Sequence, residues 1–189
     1  YSNGIGGNAM SNLIYKNRQY LNSDALENVV AYALRTDKDD LDNPMQRIIW
    51  GGQGIITRTP QTAIDGFNAV KKIYQRNDGN LLHHIIITFR TRHNHKPITN
   101  YEGIQIMSNV GFQLLEEGFQ HMYFVHNEYD SIHVHFIINS INFMTGKRIA
   151  DKKHLTHGIL SNLYQMTPNL QWDFRIVYKK NNKIDNFYE

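Results

Sequence analysis

His126-Asn127-Glu128-Tyr129-Asp130-Ser131-Ile132-His133-Val134-His135-Phe136-Ile137-Ile138-Asn139 is the stretch that decides the fold. Gln120 to Asn127 reads as one strand and Ser131 to Ser140 as a second, with the turn residues Glu128 to Ser131 between them. Side chains alternate along a strand, so Ile132, Val134, Phe136 and Ile138 share an apolar face that should bury. His133 and His135 share the other face. A four-residue loop, Glu128 to Ser131, pairs Asn127 with Ile132 and His126 with His133. Directly opposite residues point the same way, with Cβ atoms about 5 Å apart, and His135 then lies diagonally from His126. A lone strand histidine is ordinarily structural. Three at paired positions are different, because three close imidazolium charges repel and a metal ion holds them together. Three protein ligands also leave coordination positions open to a substrate. Glu128 and Asp130, in the loop, are placed to accept a hydrogen bond from a ligand histidine, although turn residues need no such role.

Working outward, Asp24 to Leu34 carries Leu26, Val29, Val30, Ala33 and Leu34 at helical spacing, and Asp24 with Glu27 fits a capping box. A polar connection follows, Thr36 to Asn43. Arg47 to Thr57 reads as two short strands about a glycine turn at Gly51-Gly52. Thr59-Pro60 opens a helix with a core face of Ala63, Ile64, Phe67, Val70, Ile73 and Tyr74, stopped by Asn77-Asp78-Gly79. Leu81 to Phe89 reads as a central strand. Its histidines point to opposite faces, so only one can face the hairpin, and His84 is the better placed neighbour. A helix over Asn100 to Glu117 shows the stripe Ile104, Met107, Gly111, Leu114 and Leu115, and Gly118 ends it. Thr145-Gly146 marks a turn. A helix over Lys152 to Gln165 and a strand over Gln171 to Tyr178 follow. Helices interleaved with antiparallel strands give an α+β class: one sheet with helices packed on it.

The chain has 189 residues, 41% hydrophobic and 20% charged, which suits one domain with a real core. It has no cysteine, which excludes disulfides, cysteine–zinc sites and a cysteine nucleophile. That suits a reducing cytoplasm. No apolar run approaches the roughly 20 residues that span a bilayer. Tyr1 to Ala9, rich in Gly and Asn, lacks the regions of a signal peptide and reads as a remnant of expression, leaving 10–189 as the domain. The net charge of +3 is only mildly basic. The basic spots Lys71-Lys72, Arg90 to Lys96, Lys147-Arg148, Lys152-Lys153 and Lys179-Lys180 would form a phosphate track if they shared a face; otherwise they are solvated loops. His93 and His95 lie in a polar loop without a third partner and read as solvated or phosphate-facing.

Among eleven tyrosines, Tyr32 stands apart: it lies off the buried stripe of the first helix, near Asn28 and Arg35. A boundary aromatic would sit there too. A phenol, with a pKa near 10, needs a nearby cation or metal to attack phosphate at neutral pH.

His126 to Arg148 resembles the three-histidine motif of conjugative relaxases, the HUH-like mobilisation nucleases of MobP and related types. Glu27 to Lys38 resembles their first motif, and His84 to Phe89 their intervening strand. Together these pieces cover most of 24–153. The resemblance implies a central antiparallel sheet with the metal hairpin in its middle, helices on the other face, and Tyr32 reaching over the metal. It implies metal-assisted nicking and joining of single-stranded DNA at an origin of transfer, with Tyr32 as nucleophile and a 5′-phosphotyrosine intermediate. His126, His133 and His135 would hold Mn or Mg, with Zn or Ni possible in a crystal. Arg35, Arg90, Arg92, Lys147 and Arg148 are candidate DNA contacts. Glu128 stands where the family commonly has aspartate, and Tyr20 is the rival nucleophile. The resemblance also implies a bacterial cytoplasmic protein, other mobilisation proteins and a coupling protein as partners, and a longer chain beyond this nuclease domain. Two other readings share these residues. One is a rolling-circle initiator or transposase of the same chemistry. The other is a non-catalytic DNA-binding module with a structural metal, for which no fourth ligand is evident.

Overall fold

A computed structural model of the chain describes residues 10–17, 19–34, 48–90, 98–128, 131–178 and 184–186. The stretches read as 1–9, the connection 36–43, the His93–His95 loop and Lys179-Lys180 lie outside the described residues. The elements are β1 (Ser11–Asn17), α1 (Ala25–Leu34), β2 (Ile49–Gln53), α2 (Pro60–Ile73), β3 (Leu82–Arg90), α3 (Asn100–Glu116), β4 (His121–Glu128), β5 (Ser131–Asn139), α4 (Lys152–Met166), β6 (Trp172–Tyr178) and β7 (Ile184–Asn186). One seven-stranded sheet has the order β2-β4-β5-β3-β1-β6-β7. Every pairing is antiparallel except β1 with β6, which is parallel. The class is α+β, as the alternation of patterns requires.

The hairpin register is the one the sequence dictates. His126 faces His133 and Asn127 faces Ile132, and the ladder runs one pair further, to Glu128 and Ser131. Ile132, Val134, Phe136 and Ile138 are buried. Each contributes roughly 1.5–3 kcal/mol by leaving water. They pack with Met107, Val110 and Leu114 of α3 and Ile159, Leu160 and Leu163 of α4.

The histidine face is also covered. Leu82, Met122, Phe124 and Ile137 lie on it and form a second core with Leu26, Val29, Val30 and Ala33 of α1 and Ala63, Ile64 and Phe67 of α2. Those apolar strand residues, set back from the hairpin tip, would otherwise meet water. This cover brings α1, and Tyr32 with it, to the histidines.

Several local expectations are corrected. Periodicity assigns no element before Asp24, yet β1 is an inner strand, with Leu13 and Tyr15 buried. β7 is likewise unanticipated. Gly51 and Gly52 make no turn: β2 runs straight through them against β4. A Cβ on Gly51 would sit 2.6 Å from the Tyr123 hydroxyl, and one on Gly52 would sit 2.3 Å from the His121 carbonyl oxygen. Those glycines serve close approach, and the turn falls at Gly54, with φ +72°.

The Asp24–Glu27 box does not satisfy its acid, since Glu27 Oε2 is buried without a hydrogen-bond partner. In α2, Ile73 is 73% exposed while Lys71 is buried. Lys71 Nζ stands 5.9 Å from the centre of the Phe67 ring. Burial pulls its pKa down to about 8, against the raising effect of Glu27. α2 ends ahead of Asn77-Asp78-Gly79, because Gln75 takes a positive φ of 54° and the Arg76 N–H donates to the Lys71 carbonyl. α3 is rotated from the expected stripe: Gly103, Ile106 and Val110 join Met107, Gly111 and Leu114 inside, and Ile104 and Leu115 are half-buried.

Candidate active site

Four strand positions and one helix position build the site. β5 supplies His133 and His135, β4 supplies His126, and β3, paired with β5, supplies His84. The His126 and His135 ring centres are 4.8 Å apart, those of His84 and His135 5.2 Å. From α1, the Tyr32 ring stands edge-on to His135, with centres 5.3 Å apart. Tyr32 is 47% exposed, an unusual state for an aromatic in contact with a buried imidazole.

Hydrogen bonds define the ring orientations. His126 Nε2 lies 2.6 Å from the Ala33 carbonyl oxygen. A carbonyl can only accept, so Nε2 carries a hydrogen. His133 takes its nitrogens to two hydroxyls, Thr88 Oγ1 at 3.0 Å and Ser131 Oγ at 2.9 Å. Thr88 is its direct partner across the β3–β5 ladder. His84 Nε2 is 3.0 Å from His135 Nδ1, and His84 Nδ1 is 3.2 Å from the Tyr20 hydroxyl. Burial, with Lys16 adding to it, pushes the His84 imidazole down to about 3, so it is neutral at physiological pH.

The three hairpin imidazoles therefore share a face, but the expected convergence is incomplete. His126 and His135 meet, whereas His133 is turned to hydroxyls. Among the described residues no set of three such side chains is gathered around one point. In chemical type, imidazole nitrogens on one hairpin face are donors that a divalent transition ion takes.

The remaining predicted residues divide sharply. Arg90, exposed at the end of β3, pairs with Ser131 beside the hairpin tip, on the histidine face by alternation. Lys147 is exposed but lies beyond β5, where Ile141 bridges to Arg148. That is about 20 Å along the strand from His135. The Arg148 guanidinium donates to the carbonyls of Asp78 and Asn80 and pairs with the Asp78 carboxylate at 3.5 Å, pinning the turn before β3. The structure does not bring these two to the histidines. Nor do the basic pairs share a face: Lys71 is buried, and Lys152 Nζ sits over the Tyr15 ring, on the α3–α4 side. Arg35, Arg92, Asp130 and the Glu128 side chain lie outside the described residues.

Sequence reasoning missed a cleft of about 540 Å³ beside Tyr32 and His84, walled by Lys16, Gln19, Asn22 and Asn28. Part of its lining comes from the end of β1 and the segment after it, where no periodic signal marked structure. Tyr20, the rival nucleophile, is 7% exposed and faces His84.

The α+β fold, with one mostly antiparallel sheet and helices packed on it, agrees with the fold that the relaxase resemblance implies. The profile of a family described as "Relaxase: MobA/VirD2-like, nuclease domain" matches residues 32–165, and the chain belongs to that family. It is also 29% identical over 97 residues to "Protein rlx" of Staphylococcus aureus, an alignment covering 51% of this chain and 28% of that protein. No solved structure matches the chain. Among the described residues, no helix is long and apolar enough to cross a membrane.

Proposed function

We propose that this chain is a metal-dependent nicking and strand-transfer endonuclease for single-stranded DNA, acting at an origin of transfer in the bacterial cytoplasm. The observation that carries this reading is Tyr32: half-exposed, edge-on to His135, on the face that also bears His126 and His133. A phenol serving only the core would be covered.

His126, His133 and His135 are the residues that would hold the ion, Mn or Mg being the expected choices. When bound, it supplies Lewis-acid stabilisation of charge on the scissile phosphate. The Tyr32 oxygen attacks phosphorus, giving a 5′-phosphotyrosine link and a free 3′-hydroxyl, which later reverses the exchange and reseals the strand. Glu128, at the end of β4, and Asp130, in the turn after it, are proposed to orient the hairpin histidines. Arg90, with Arg35 and Arg92, offers cations to the backbone. Lys16 and the amides of Gln19, Asn22 and Asn28, with the Asp24 carboxylate among them, line a cleft of a size to take a nucleotide next to the cut. Arg148 is left out of this surface because its guanidinium is committed to the turn at 78–80. Other mobilisation proteins and a coupling protein are the proposed partners, with further domains beyond this one.

The test is nicking of a single-stranded origin oligonucleotide with and without Mn. His135→Ala is expected to lower the nicking rate by at least a hundredfold while leaving DNA binding within a few-fold. Equal nicking by His135→Ala would remove the histidines from the chemistry.

A further inference from the structure

The cleft beside Tyr32 is more selective in its chemistry than a site for DNA backbone needs to be. Asp24, Asn28 and Tyr32 all line it, and they follow one another at four-residue spacing. The Asn28 N–H donates to the Asp24 carbonyl at 3.0 Å, so Asp24 opens the first turn of α1. Residues four apart share a helix face, about 6 Å apart along the axis. Asn28 and Asp24 therefore stand one and two turns from the phenol. Both are exposed, and among the described residues neither side chain has a hydrogen-bond or ion-pair partner. Leu21, 53% exposed, and the buried Ala25 and Val29 give the same cleft an apolar lining.

This mixture suits a base better than a phosphate. A carboxylate repels phosphate oxygens, whereas apolar walls with a few placed polar groups hold a flat ring and read its edge. In an unpaired strand the Watson–Crick edge is open to such reading. Guanine alone presents two adjacent donors there, N1–H and the N2 amino group, and one carboxylate can accept both. Its O6, next to N1, accepts from an amide N–H. Thymine offers a single N–H between two carbonyls. Adenine and cytosine offer an amino group beside an unprotonated ring nitrogen, whose lone pair a carboxylate repels. A carboxylate and an amide one helical turn apart thus match guanine.

We propose that Asp24 and Asn28 are specificity-determining residues that read a guanine in a nucleotide next to the scissile phosphate. Asp24 accepts from N1–H and the N2 amino group, and the Asn28 amide donates to O6. The proposal rests on the single-stranded DNA reading above, but needs neither the metal ion nor the cut.

The experiment is fluorescence anisotropy of metal-free protein, in EDTA, with thymine 12-mers carrying one central guanine, adenine, cytosine or inosine. The guanine strand is expected to bind about tenfold more tightly than the all-thymine strand, and the adenine and cytosine strands within threefold of it. Inosine, which lacks the N2 amino group, should lose most of the gain. Asp24→Asn should erase the guanine-to-thymine ratio whatever it does to overall affinity, and Asn28→Ala should reduce that ratio several-fold. Both positions are exposed, and matching melting curves verify that the variants fold. Equal affinity for all strands, a preference for another base, or a guanine preference that survives in Asp24→Asn would overturn the proposal. A protein that prefers guanine yet never nicks keeps this proposal and loses the nuclease reading; one that nicks without the preference does the reverse.

Discussion

At the scale of single residues, the interior carries histidines whose neutrality is a condition of folding. His83 is held down to about pKa 4 by burial and by the Lys152 and Arg148 charges, and its Nδ1 meets the Tyr15 hydroxyl at 2.6 Å. Burial likewise holds His121 at about 4, under Gly111 and against Phe136. Both native values lie below the unfolded value near 6.5. The unfolded chain therefore takes up protons first, and stability is lost as pH falls from about 6.5 towards 4. At pH 5 each group should cost about 2 kcal/mol relative to pH 7. Urea unfolding at the two values measures this, and a His121→Gln protein should lose correspondingly less; equal stability at pH 5 and 7 would refute it. Sequence alone showed that His83 and His84 face opposite sides. It could not show that each finds a tyrosine, Tyr15 or Tyr20, because those partners come from a strand and a segment that no periodicity revealed.

Elements were legible where their pattern was local. The hairpin register follows from strand parity and the turn, and α2 and α4 begin at caps, Thr59 and Asp151, next to the positions their patterns mark. Helix rotation was less legible. The inner face of α3 is set by what lies beneath it, and His121 requires Gly111 there. A Cβ at Gly111 would stand 2.1 Å from His121 Nε2. Alanine is the better helix former by about 1 kcal/mol, yet overpacking a buried ring costs about 1–3 kcal/mol or more. Gly111→Ala should therefore destabilise the protein in thermal or urea melts, and a stabilised variant would show that α3 does not sit on His121. The same principle explains the misread of Gly51-Gly52: a glycine pair in sequence signals either a turn or a close approach, and only the opposing strand tells which.

For the molecule as a whole, two cores lie on opposite faces of one sheet, and the histidines sit towards the hairpin end, with Tyr32 and His84 beside them and Arg90 next to the tip. The charges sort by place rather than by number. Arg90→Ala should reduce the slope of log K against log salt for single-stranded DNA by about 0.7, without altering the melting curve. Arg148→Ala should leave that slope unchanged and cost about 1 kcal/mol of stability, because the turn at 78–80 loses the guanidinium that ties it down. Fluorescence anisotropy across a salt series, beside melts of both variants, checks the pair; a lowered slope for Arg148→Ala would place DNA at the wrong end of the sheet. Tyr32 is proposed to join to DNA over the histidine face. Incubating an origin oligonucleotide with Mn and either wild type or Tyr32→Phe, then resolving the products under denaturing conditions, tests it most directly. The account predicts a covalent protein–DNA adduct with wild type and none with Tyr32→Phe; an adduct that persists in Tyr32→Phe would contradict it.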